Sequence, residues 1–121
     1  MASPKGRILC TEDDADTREL LILSLTIAGY DVSCTDRANT AVERMKVEKF
    51  DLCLVDNWMP GTSGEDLCKK IREFDQKVPI VALISASTEK KIFNAYKAGA
   101  NDIIVKPVSN AELHRILTRY S

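Results

Sequence analysis

DLCLVDNWMPGTSG, residues 51–64, opens on an apolar run, Leu52, Cys53, Leu54 and Val55. It then meets one acid, Asp56, and enters a loop carrying Pro60, Gly61 and Gly64. A run apolar at every position reads as a strand covered on both faces, and such strands belong to parallel sheets flanked by helices. The acid at its end is open to two readings: turn punctuation, or a reactive carboxylate aimed at the loop.

Working outward, the same grammar repeats. Residues 6–11, 30–35, 78–85 and 101–105 read as four further strands. Residues 14–28, 38–49, 64–74, 88–98 and 109–120 read as helices with apolar faces, such as Leu21, Leu25 and Ala28 in the first and Leu113, Ile116 and Leu117 in the last. Asp16 with Glu19 suggests a capping box at the first helix, and Gly29 and Gly99 suggest helix stops. Alternating strands and helices imply right-handed crossovers. The expected fold is a flavodoxin-like α/β domain, a five-stranded parallel sheet in the order 2-1-3-4-5 with five helices on both faces.

Composition narrows the function. The chain has 121 residues, 45% of them hydrophobic, which suits one packed domain spanning 1–121. With 17 basic and 18 acidic residues the net charge is −1, so nothing argues for direct nucleic-acid binding or an anionic membrane. The start MASPKG lacks the apolar core of a signal peptide and no run is long enough to span a bilayer, which makes the cytoplasm the expected location. Cys10, Cys34, Cys53 and Cys68 form no C-x-x-C pair and read as free thiols acting as small hydrophobes.

In open α/β sheets ligands sit beyond the carboxyl ends of the strands. There the sequence places Thr11, Glu12, Asp13 and Asp14 after the first strand, Asp56 after the third, Ser85 after the fourth and Lys106 with Pro107 after the fifth. Clustered carboxylates repel one another unless a cation is present, and Mg2+ is the hard, oxygen-seeking candidate. The acids near residue 14 could instead cap the first helix; Asp56 on the neighbouring strand favours a metal site. A carboxylate, an ammonium, a hydroxyl and Mg2+ are the parts of a phosphoryl-transfer centre, with Asp56 as nucleophile.

These motifs, in this order, resemble the response-regulator receiver family of two-component signalling over about residues 6–119. ILCTEDD resembles its first strand and acidic pair, Glu12 and Asp13; DLCLVDNWMPGTSG its D-L-x-L-x-D-x-x-M-P-x-x-x-G; LISAS its strand ending in Ser85 then Ala86; and AGANDIIVKP the segment delivering Lys106. The resemblance implies transfer of a phosphoryl group to Asp56 from a phosphohistidine of a histidine kinase or histidine phosphotransfer protein. It implies Mg2+ held by Asp13, Asp56 and the Trp58 carbonyl, with Glu12 reaching it through water. Lys106, Ser85 and backbone N–H groups of the Trp58 loop and Ala86 would hold the phosphoryl oxygens. It also implies a cis Lys106–Pro107 bond, slow self-dephosphorylation and a signalling rather than enzymatic role. His114, on the last helix, is an unsuitable phosphodonor.

Three features depart from the family pattern. Ile103 stands where receivers most often carry an aromatic switch residue. Trp58 and Ser87 occupy positions that tune water access to the acyl phosphate, and Trp58 suggests a long-lived one. The first helix is apolar nearly all round, with Leu20, Ile22, Leu23 and Ile27, which suggests a docking patch. Rival functions are a receiver-fold interaction module without phosphorylation, a flavodoxin-like nucleotide-binding domain and an aspartyl-phosphate hydrolase. The second would need a phosphate-cradling loop where TEDDAD stands, and the third usually has a second Asp where Trp58 stands. The chain stops just after the last helix, so no output domain is expected.

Overall fold

The computed structural model describes residues 4–59, 62–85 and 88–120, with only the main chain of Trp58 and Met59. Its elements are β1 (Arg7–Thr11), α1 (Ala15–Ile27), β2 (Asp31–Thr35), α2 (Ala38–Val47), β3 (Leu52–Asp56), β4 (Trp58–Met59), β5 (Thr62–Ser63), α3 (Gly64–Phe74), β6 (Ile80–Ile84), α4 (Glu89–Ala98), β7 (Asp102–Val105) and α5 (Asn110–Tyr120). Five strands form one parallel sheet in the order β2-β1-β3-β6-β7. Counting only those five gives the expected 2-1-3-4-5. The short β4 and β5 pair antiparallel as a ribbon in the loop after Asp56, a feature the sequence reading did not contain.

β3 and β6 are buried from end to end, and β1 from Ile8 on, because their two faces feed two cores. Leu9, Cys53, Val55, Ile80, Ala82 and Ile84 pack with α2, α3 and α4. Ile8, Cys10, Leu52, Leu54, Val81, Leu83 and Ile104 pack with α1 and α5. The strict alternation between the two sets is the period of two of a pleated strand. Burial raises the Cys53 thiol's pKa, and that of Cys68 to about 11, so both behave as neutral hydrophobes.

Helix ends follow local chemistry. The first cap differs from expectation: Asp14, not Asp16, takes the N-cap position and its carboxylate accepts from Thr17 N at 2.9 Å. Asp16 lies in the first turn. The cap is set by backbone geometry, since Asp14 is the last extended residue (φ −77°, ψ 120°). Ser63 and Thr88 cap α3 and α4 in the same way. Gly99 ends α4 at φ +120°, a conformation that glycine adopts without a Cβ clash. Arg72 on α3 fastens the turn beyond it, donating to the carbonyls of Gly99, Val78 and Asp75 and to Asn101 Oδ1.

Candidate phosphoacceptor and metal site

Strand parity brings the acids together. Glu12 continues the series Ile8, Cys10; Asp56 the series Leu52, Leu54; Lys106 follows Ile104; all three series face α1 and α5. β1 and β3 are neighbours, and the chain turns in opposite directions from them, so their ends flank the switch point where open sheets bind ligands.

One ligand oxygen each from Glu12, Asp13 and Asp56 lies within 4.8 Å of the others. Glu12 is fully buried, Asp56 is 3% exposed and Asp13 is half-buried. Lys106 reaches across from β7, its Nζ 2.8 Å from Glu12 Oε1 and 3.0 Å from Asp56 Oδ1. Burial works to lower the pKa of this ammonium, but its hydrogen bonds to Glu12 and Asp56 outweigh that and hold it above the ordinary value. Lys106 therefore stays charged. The bond from Lys106 to Pro107 is cis, as the family resemblance implies. Three hard oxygen donors at this spacing suit a small divalent cation.

Further contacts fix the frame. The Asp56 amide donates to the buried Thr11 hydroxyl at 3.2 Å, tying β3 to β1 at the site. Arg18, one turn into α1, donates to the carbonyls of Glu12 (3.0 Å) and Asp13 (3.3 Å). The loop after Asp56 is returned by Asn57, whose amide donates to Leu83 O and whose carbonyl accepts from Gly64 N at 2.9 Å. A Cβ at Gly64 would strike the Asp56 carbonyl oxygen, so only glycine lets α3 begin this close to the end of β3. The sequence reading missed the roles of Thr11 and Arg18. The available signal for Arg18 was its spacing, four residues past Asp14, which brings it back over the acidic turn.

Ser85 is exposed at the carboxyl end of β6, one residue past Ile84, and shares the parity of Val81 and Leu83. Ala86, Ser87 and the Trp58 side chain lie outside the described residues. Ile103 is half-buried against the core shared with α4. His114 is exposed on α5, apart from the acidic cluster. On α1, Leu20, Leu23 and Ile27 are 51%, 58% and 77% exposed. A groove lined by Thr17, Leu20, Ser24, Pro107 and Asn110 runs along this helix to Lys106.

The sequence profile of the response regulator receiver domain matches residues 8–118. The chain belongs to this family. Among curated relatives of this receiver, the uncharacterized transcriptional regulatory protein YrkP of Bacillus subtilis is 39% identical over 108 residues, covering 89% of this chain and 46% of that protein. The receiver thus spans less than half of that regulator. Among solved structures, the receiver domain of sensor histidine kinase PA1611 from Pseudomonas aeruginosa is 30% identical, with TM-score 0.89 and 98% of each chain covered. That structure has a magnesium ion coordinated in its active-site cleft. Vibrio cholerae chemotaxis protein CheY4, at 24% identity, covers 99% of this chain with TM-score 0.91 and shares the fold. Among the described residues no helix is long and apolar enough to cross a membrane.

Proposed function

We propose that Asp56 of this receiver accepts a phosphoryl group from the phosphohistidine of a histidine kinase or histidine phosphotransfer protein. The observation that carries the reading is a nearly buried carboxylate at the end of a central strand, 3.0 Å from the Lys106 ammonium and grouped with Glu12 and Asp13. Asp56 attacks phosphorus in line and the donor imidazole leaves, forming an acyl phosphate. Lys106 Nζ neutralises charge on the transferred oxygens, and the Ser85 hydroxyl and the backbone N–H groups of Trp58 and Ala86 donate to them. Mg2+, held by Asp13, Asp56 and the Trp58 carbonyl with Glu12 behind, supplies charge neutralisation for the phosphoryl group when bound. Thr11 and Arg18 hold the acceptor strand and acidic turn in place.

The exposed aliphatics of α1 and the groove leading to Lys106 suit a helical partner that presents its phosphohistidine to Asp56. Charge reversal at Ile22 is expected to slow transfer from such a donor and leave transfer from a small phosphodonor intact. The domain is read as one unit over 1–121, acting in the cytoplasm. A nucleotide-binding role is disfavoured because carboxylates occupy the loop where a phosphate would sit.

Incubation with Mg2+ and a small phosphodonor, read by intact mass, tests the reading. One phosphoryl adduct is expected, absent from the Asp56→Asn variant. No adduct, or one that persists in that variant, overturns it and favours an interaction module.

A further inference from the structure

We propose that Cys10 and Cys34 form a redox modification site, a pair of thiols that a peroxide converts into a reversible intramolecular disulfide. The register of β1 on β2 sets Cys10 directly opposite Cys34. Opposed residues on neighbouring strands point to the same face, and both thiols lie in the core beneath α1 and α5. Neighbouring strands run about 4.8 Å apart, which lies inside the Cα separation of about 4.4–6.8 Å that disulfides span.

Access and isolation make the pairing specific. β2 is an edge strand and Cys34 is half-buried, whereas Cys10 is fully buried. Cys34 is therefore the thiol a small oxidant meets first. The other two cysteines belong to the core on the opposite face of the sheet, where Cys53 Sγ contacts Met45 Sδ at 3.3 Å. The sheet thus separates them from the proposed pair.

The chemistry balances with hydrogen peroxide as oxidant. Cys34 sulfur attacks one peroxide oxygen, the O–O bond breaks, and a sulfenic acid forms with release of one water. Cys10 sulfur then attacks the Cys34 sulfur, the S–O bond breaks and a second water leaves. Both thiols are oxidised and the peroxide is reduced. A thiol reductant restores the pair by exchange. The bond would tie the edge strand to β1 one residue before Thr11, whose hydroxyl holds the Asp56 amide.

Trypsin separates the two thiols, since Arg7, Arg18 and Arg37 place Cys10 in residues 8–18 and Cys34 in residues 19–37. The folded chain, treated with hydrogen peroxide, blocked with a maleimide and digested without reductant, is expected to yield these peptides joined and lacking both thiol hydrogens. Dithiothreitol should part them, and Cys34→Ser should abolish the product. The same treatment in denaturant should scatter the pairing over all four cysteines. Recovery of both peptides reduced, of Cys34 as sulfinic or sulfonic acid without a link, or of links to Cys53, Cys68 or a second molecule as the main product would overturn the proposal.

Discussion

Replacing Asp13 by Asn is expected to stabilise the metal-free receiver and to abolish most of its stabilisation by Mg2+. Among the described residues the Asp13 side chain makes no ion pair, while Glu12 and Asp56 both engage Lys106. The change therefore removes repulsion without breaking a pairing. At separations of no more than 4.8 Å each carboxylate pair repels by at least about 3.5 kcal/mol at an effective dielectric of about 20, and by at least about 0.9 kcal/mol in water. Asp13 is half-buried and Lys106 offsets part of the field, so a net gain of about 2 kcal/mol is expected. At about 2.1 cal/mol/K of unfolding entropy per residue over 121 residues, that raises Tm by about 8 °C. Mg2+ reverses the order, since a ligand at 100 times its Kd stabilises the folded state by about 2.7 kcal/mol and the variant has lost a ligand carboxylate. Thermal unfolding followed by circular dichroism, first in EDTA and then along a Mg2+ titration, should show two curves that cross. A variant less stable than wild type in EDTA, or equal Mg2+ shifts for both proteins, would refute the electrostatic account.

Gly64→Ala should slow phosphorylation by a small phosphodonor at least several-fold, because its Cβ meets the Asp56 carbonyl and the acceptor strand must shift; single-turnover kinetics check this. Arg72→Lys should lower stability by about 2–4 kcal/mol, read from urea midpoints, since a single ammonium cannot reproduce the fork that serves three carbonyls and Asn101. Glu48 is held at about 2, below its ordinary 4.5, by hydrogen bonds first from Arg44 and then from Arg7. A depressed carboxyl contributes stability above pH 4.5 that is lost as pH falls through about 2. Glu48→Gln should thus unfold more easily at pH 7, and the gap should narrow below pH 4.5; a gap independent of pH would exclude the ion pairs as its cause.

The fold was legible because the central strands carry short apolar runs while the helices carry apolar faces. Leu52 to Val55 and Ile80 to Ile84 could be buried only by helices on both sides, and the two cores confirm that arrangement. The convergence of Glu12, Asp13, Asp56 and Lys106 in the candidate site was legible because each lies at a strand end, and strand ends converge in such sheets. What escaped the sequence depended on one-residue geometry. Whether Asp14 or Asp16 caps α1 turns on which residue is last to be extended, and both have the right side chain. Thr11 looked like an ordinary strand-end residue until the register of β1 on β3 set its hydroxyl against the Asp56 amide. The β4–β5 ribbon is two residues per strand, too short for any periodicity to register.

The same parity that builds the cores also explains why the site is costly to the fold and useful to function. Positions 12 and 56 point toward the α1 and α5 side, where their predecessors Cys10 and Leu54 are fully buried. Carboxylates continuing those series leave water, which costs several kcal/mol per ion unless a partner compensates. Lys106 supplies one positive charge to a cluster of three acids, so the resting site keeps an excess of negative charge. An excess of this sign favours a divalent cation, as the proposed phosphoryl transfer requires. On the proposed reading stability and function are therefore opposed at Asp13: it adds to the repulsion without joining the lysine, and the role proposed for it is to hold Mg2+.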